Sequence, residues 1–205
     1  MTPTGRSVER KRRTNETDVS VVLDLDQTAP PASSTGLPFF DHMVSQLGKH
    51  TAWTLTVEAT GDVQVDAHHT VEDVGIVLGS ALADALGDKA GIWRFASISL
   101  PLDEALVDVA LDISGRPFLR YEVEFAGDAV PLGEPGFEPQ LAEEFWRAFV
   151  TSAGITLHIT LRYGRNTHHI LEACFKGVAR ALRVAVARTA SGEVPSTKGS
   201  LGPGS

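Results

Sequence analysis

The sequence predicts an α+β fold duplicated within one chain, each half running strands, helix, strand, helix. Two observations carry that reading: a histidine–glutamate pattern that occurs twice, and strand and helix signals that recur in the same order on either side of residues 87–91. The pattern is His68-His69-Thr70-Val71-Glu72, and it returns one hundred residues later as His168-His169-Ile170-Leu171-Glu172. An internal duplication of a βαβ-type unit accounts for the shared order better than two unrelated domains do.

In the first half, Val19 to Leu25 alternates apolar and polar residues as a half-buried strand does. Residues 29–36 are dense in chain breakers and read as a loop. Leu37 to Leu47 reads as a helix with Pro38 in its first turn, where the missing N–H costs nothing. Thr54 to Glu58 is a strand, and residues 61–67 lead into a helix from about Thr70 to Leu86. Gly87 ends that helix and Gly91 opens the second half. There, Ile98–Leu100 and Ala105–Ile113 form a strand pair around the Pro101–Glu104 turn. Tyr121 to Phe125 is a further strand, and residues 130–136 are a Pro/Gly loop. Leu141–Val150 reads as a helix, Thr156–Leu161 as a strand and Ile170–Arg188 as a long helix. The expected organisation is a first repeat over residues 1–88, a second over 89–190, and a C-terminal substrate-binding tail over 191–205.

At 205 residues, the chain is long enough to bury a proper core. Its net charge of −8 argues against a nucleic-acid partner, which needs a basic face to neutralise phosphates. The run Arg10-Lys11-Arg12-Arg13 is a local exception; flanked by Glu9 and Glu16, it reads as a solvated or inter-subunit face. The single cysteine, Cys174, excludes an internal disulfide and sits in an apolar stretch, which marks it as core rather than nucleophile. No run approaches the ~18 residues of a membrane span and no apolar leader is visible, so no membrane association and a cytoplasmic location are expected.

Neighbouring helix side chains diverge by roughly 100°, while residues three or four apart share a face. His69 and Glu72 can therefore grip one ion while His68 reaches towards another, and His168, His169 and Glu172 repeat the logic. Two such clusters in matching context predict a two-metal protein. Thr54 lies 12 residues after His42, and Thr156 lies 12 residues after Glu144, which makes Glu144 the counterpart of His42. The halves then supply two sets, His42/His68/His69/Glu72 and Glu144/His168/His169/Glu172. Mixed imidazole and carboxylate ligation suits manganese, iron, zinc or nickel, and octahedral manganese leaves positions open for a substrate. His158 reads as a structural strand histidine, and His50 either caps its helix or faces the site. Arg94, Arg116, Lys176 and the tail Ser196-Thr197-Lys198-Gly199 complement phosphate oxygens. Lys176 is one helical turn after Glu172, on the same face. Metals with cations nearby imply a small phosphorylated substrate that also ligates the metals.

Six stretches together resemble the imidazoleglycerol-phosphate dehydratase family of histidine biosynthesis. They are Arg13-Thr-Asn-Glu-Thr17, Phe39-Phe-Asp-His-Met43, His68-His69 through Glu72 to Gly75, Ser114-Gly-Arg-Pro117, His168-His169 through Glu172 to Lys176, and Pro195-Ser-Thr-Lys-Gly199. The resemblance spans essentially the whole chain. It implies helices packed between two sheets, and a homo-oligomer of 24 subunits with active sites between subunits and two manganese(II) ions in each. Carried over by position, it gives His42, His69, Glu72 and His168 to one ion. The other takes His68, His169 and Glu172 with a fourth ligand, a histidine in many members and Glu144 here. Substrate contacts fall on Glu16, Gln46, His50, Arg94, Arg116, Lys176, Ser196 and Lys198, besides the metal ligands. The substrate, a phosphorylated imidazole, has no acidic C–H. Two Lewis acids on the ring nitrogens would stabilise an imidazolate that expels hydroxide as a diazafulvene, after which a base removes the neighbouring proton. Glu16 is the candidate acid/base, with His69, Glu72, His168 and Glu172 at the reacting centre. Two rival readings are a two-metal phosphatase or hydrolase, which should be richer in aspartate, and a non-enzymatic metal-binding cage, which leaves the cationic set without a role.

Overall fold

The computed structural model describes residues 5–125 and 130–201. Twelve elements follow in two matching sets of six. The first set is β1 (Ser7–Arg13), β2 (Thr17–Asp24), β3 (Ala32–Ser34), α1 (Pro38–Thr51), β4 (Thr54–Gly61) and α2 (Ala67–Leu86). The second is β5 (Phe95–Leu102), β6 (Ala105–Asp112), β7 (Phe118–Glu122), α3 (Leu141–Ala153), β8 (Thr156–Tyr163) and α4 (Thr167–Ala185). Each set closes one four-stranded sheet, in the order β1-β2-β4-β3 or β5-β6-β8-β7. In both, two antiparallel pairings are followed by one parallel pairing, β3 with β4 and β7 with β8. The duplication expected from the sequence is therefore present down to strand order.

Period-two alternation sets which face of each sheet is buried. Val19, Val21 and Leu23 on β2, and Ala105, Val107 and Val109 on β6, are all at most 2% exposed, while their neighbours face outward. The buried faces receive the helices. α2 lies on β1 and β2, α4 on β5 and β6, and the helices then pack across the halves, α1 against α4 and α2 against α3. Two helix layers thus sit between two sheets. The aromatic centre of this core is Phe145, Trp146, Phe149 and Phe175, with Phe145 and Phe175 stacked at 5.4 Å between ring centroids.

Several boundaries differ from the sequence expectation, each for a local reason. The basic run is β1 itself. Arg12, half-buried, and Arg10, still exposed, reach Asp73 and Asp84 of α2, so two of its four cations join a helix to the sheet. Lys11 and Arg13 remain on the exposed face. A three-residue strand, β3, lies inside the stretch read as loop, held by parallel pairing to β4 rather than by any local preference. β7 begins three residues earlier than Tyr121, at Phe118, because its register starts opposite Thr156 at the head of β8. α2 and α4 also start three residues early, at Ala67 and Thr167, since polar caps upstream of the apolar periodicity begin them. Cys174 is fully buried and burial pushes its thiol up to about 12, in keeping with a core role.

Candidate metal centre and anion pocket

Both histidine pairs occupy the first turn of a capped helix. The Asp66 side chain accepts the backbone N–H of His68, and the Asn166 side chain accepts those of His168 and His169. One residue separates each cap from its pair, so the capping chemistry that starts the helix also fixes where the imidazoles emerge. α1 contributes a second row. His42, Gln46 and His50 lie four residues apart on one face and are all half-buried.

The crossed helix packing decides what meets. Because α1 lies on α4, His42 joins His168 and Glu172, and their ligand atoms lie within 4.8 Å of one another. Glu172 Oε2 accepts from His168 Nε2 at 2.8 Å and contacts His42 Nε2 at 3.4 Å, while Lys176 Nζ donates to Oε1 at 2.5 Å. The ring of Phe39 packs edge-on against His168, with centroids 5.3 Å apart. Glu172 is 9% exposed. Burial alone pushes its carboxyl up, but the Lys176 ammonium and the His168 imidazole overcome this and hold it at about 2. Two imidazole nitrogens and a carboxylate oxygen without thiolate form a donor set that fits a divalent cation of the manganese-to-zinc series. Sequence spacing grouped His42 with His68, His69 and Glu72 of its own half; within one chain it meets the second half instead. Among the described residues, no second group of three histidine or carboxylate ligand atoms converges as closely.

The outer histidines are held individually. His69 Nδ1 lies 3.2 Å from Asp62 Oδ2, and His169 Nδ1 lies 2.7 Å from Glu104 Oε2. Asp62 chiefly, with the charge of Glu16 adding to it, raises the pKa of His69. Hydrogen bonding to Glu104 does the same for His169. Neither Asp62 nor Glu104 was singled out from the sequence. A signal existed for Glu104: it immediately precedes β6 as Glu16 immediately precedes β2. His68 and Glu72 project from the half-buried start of α2. Glu144 sits in the first turn of α3, where Arg147 Nε approaches at 3.9 Å. Burial lowers the pKa of His50, and the nearby charges of Lys176 and Arg180 lower it further, so α1 and α4 face each other here as well. His158 is a strand residue on β8, its ring 5.5 Å from that of Phe118.

Two arginines and the tail gather elsewhere. Arg94, Arg116, Ser196, Thr197 and Lys198 line a cavity of about 660 Å³. Arg94 braces it, gripping Asp112 through Nε (2.7 Å) and Nη2 (3.0 Å) and the Pro195 carbonyl through Nη1 (2.8 Å). Lys176 is not among the lining residues; it pairs with Glu172. A polar cavity with two guanidinium groups, an ammonium and hydroxyls suits a small anion.

A histidine–carboxylate cluster on a duplicated α+β scaffold, in a chain that also carries a cationic cavity, fits a metal-dependent enzyme rather than a structural protein. The chain belongs to the imidazoleglycerol-phosphate dehydratase family, hydro-lyases of histidine biosynthesis: the family profile of that description matches residues 35–182. The imidazoleglycerol-phosphate dehydratase of Rhodopseudomonas palustris (strain TIE-1) is 53% identical over 200 residues, covering 96% of this chain and 99% of the relative. That of Xanthobacter autotrophicus is 55% identical with the same coverage. The crystal structure of the Staphylococcus aureus enzyme superposes with a TM-score of 0.77 at 36% identity, spanning 89% of this chain and 99% of that one. The Pyrococcus furiosus structure gives 0.77 at 35% identity, spanning 92% and 98%. Among the described residues, no helix is long and apolar enough to cross a membrane.

Proposed function

We propose that this enzyme dehydrates imidazole glycerol phosphate to imidazole acetol phosphate with two manganese(II) ions per active site, in the cytoplasm, as a 24-subunit assembly whose sites form between subunits. The observation that carries the reading is the convergence of His42, His168 and Glu172. His42 and His168 would hold one ion with His69 and Glu72, and Glu172 would hold the other with His68, His169 and Glu144. Ligands from a neighbouring subunit account for the position of His69, whose Nε2 has no hydrogen-bond partner among the described residues. Divalent ions held there would supply Lewis acidity to the imidazole ring of the substrate.

The chain's own residues do the rest. Arg94 and Arg116, with Ser196 and Lys198 from the tail of residues 191–205, bind the phosphate and fix the substrate far from the bonds that break. Lys176 keeps Glu172 ionised and therefore able to ligate. Gln46 and His50 flank His42 on the same helix face and border the substrate. Glu16 stands at the β1–β2 turn, where its backbone N–H is held by Thr14 Oγ1 and its carboxylate has no hydrogen-bond partner among the described residues. Its free carboxylate takes the proton from the carbon next to the departing hydroxyl, and the resulting enol becomes the ketone.

The test is Glu16→Gln in the manganese-loaded enzyme, assayed for dehydration and for metal content. Loss of the base should lower kcat by on the order of 10² to 10⁴ while metal and substrate still bind. A near-normal kcat would remove Glu16 from the mechanism.

A further inference from the structure

The duplication places two glutamates in equivalent positions. Thr54 and Thr156 open the equivalent strands β4 and β8, and they pair with Asp24 and Asp112. Glu16 lies eight residues before Asp24, and Glu104 lies eight residues before Asp112. Each directly precedes the second strand of its hairpin, close to the second histidine of a pair. Their environments have diverged. Glu16 offers a carboxylate with no hydrogen-bond partner among the described residues, and Asp62 from the β4–α2 loop serves His69 instead. The Glu104 carboxylate is fully engaged: Oε1 accepts the backbone N–H groups of Asn166 (2.7 Å) and Arg165 (3.2 Å), and Oε2 accepts from His169 Nδ1 (2.7 Å).

We propose that Glu104 is the positioning residue of His169: by taking the Nδ1 proton, it selects the tautomer whose Nε2 lone pair is offered to the metal. An ionised carboxylate only accepts hydrogen bonds, so a neutral imidazole facing it must carry its proton on Nδ1. The opposite nitrogen stays open, since Asp103 Oδ2 is 3.6 Å from Nε2, beyond hydrogen-bond range. Anchoring Oε1 to the backbone at the start of α4 fixes the carboxylate against the helix that carries His169, so hairpin and helix aim the ring together. The duplicated turn has thus divided its labour, with Glu104 orienting a ligand and Glu16 left free for proton transfer. This inference rests on His169 being a metal ligand.

Glu104→Gln separates orientation from scaffolding. Two backbone N–H groups hold an acceptor at the Oε1 position, so the amide oxygen goes there and the amide NH₂ faces His169 Nδ1. That arrangement keeps the turn intact but demands the Nε2–H tautomer, which cannot ligate. Manganese stoichiometry and affinity are measured by chelator competition on the assembled protein, together with the thermal midpoint of the metal-free protein. The expected result is one ion bound 10- to 100-fold more weakly, the other unchanged, and an unaltered metal-free midpoint. Wild-type affinity for both ions in Glu104→Gln overturns the assignment. A lowered metal-free midpoint with both ions weakened alike also overturns it, making Glu104 a structural clasp. His169→Ala is measured alongside. If that variant keeps both ions at full affinity, the ligand reading of His169 is what has failed; if it loses one while Glu104→Gln does not, only the positioning role has.

Discussion

Gly75 on α2 offers a quantitative test of how tightly the two halves are joined. A Cβ added there would sit 2.7 Å from the Phe145 carbonyl oxygen, 3.0 Å from Ala148 Cβ and 3.3 Å from the Phe149 nitrogen. Two of those three atoms are α3 backbone and cannot rotate aside, so the helices must separate by several tenths of an ångström. Overpacking of this kind costs about 1–3 kcal/mol, and rigid neighbours put Gly75→Ala at the upper end, near 3. Alanine in mid-helix returns about 1 kcal/mol through propensity. The net is a loss of about 2 kcal/mol, which for a chain of this size lowers Tm by roughly 4–8 °C. Gly79→Ala should cost more, because its Cβ would meet the Phe149 carbonyl more closely still. Glu72 lies one turn before Gly75, so metal affinity should fall with stability. The assay is thermal unfolding of the metal-free protein at one fixed protein concentration, because assembly makes Tm concentration-dependent. A Gly75→Ala protein as stable as the parent, or more so, would show that the α2–α3 contact is slack and refute the calculation.

Asp26 ties the start of the chain to the end of α4 by accepting from Arg6 and Arg188, and chiefly the Arg6 hydrogen bonds hold its carboxyl well below the usual range. A depressed folded-state pKa stabilises above the unfolded value and is lost as pH falls, so Asp26→Asn should cost about 1 kcal/mol at neutral pH. Its Tm deficit should shrink as pH drops below the unfolded value of 3.8; a deficit independent of pH would contradict the charge-based account. Cys174 is buried with its thiol pushed up to about 12, so iodoacetamide should leave it unlabelled in the native protein and label it fully in denaturant. Rapid native labelling would show that the α4 core opens readily.

Much of this protein was legible in its sequence, because the informative signals are local. Alternation along Val19–Leu25 and Ala105–Ile113, Pro38 at a helix start and Gly87 at a helix end each act through the chain's own backbone or through a buried face. The twin histidine pairs announced both the duplication and the donor chemistry. The sequence did not decide which half each ligand serves. Spacing alone groups His42 with His68, His69 and Glu72 of its own half, and only the family resemblance pairs it with His168; α1 packs on α4 and carries it to His168 and Glu172. That partnership depends on how apolar helix faces fit across the two halves, which no local pattern encodes. The same holds for β3, three residues paired in parallel to β4, and for the ion pairs of Arg10 and Arg12 with α2. Glu104 makes the point most sharply: its residue type and place before β6 match Glu16. Only the folded chain, by bringing the β5–β6 turn against the first turn of α4, gives the two carboxylates different partners and so different work.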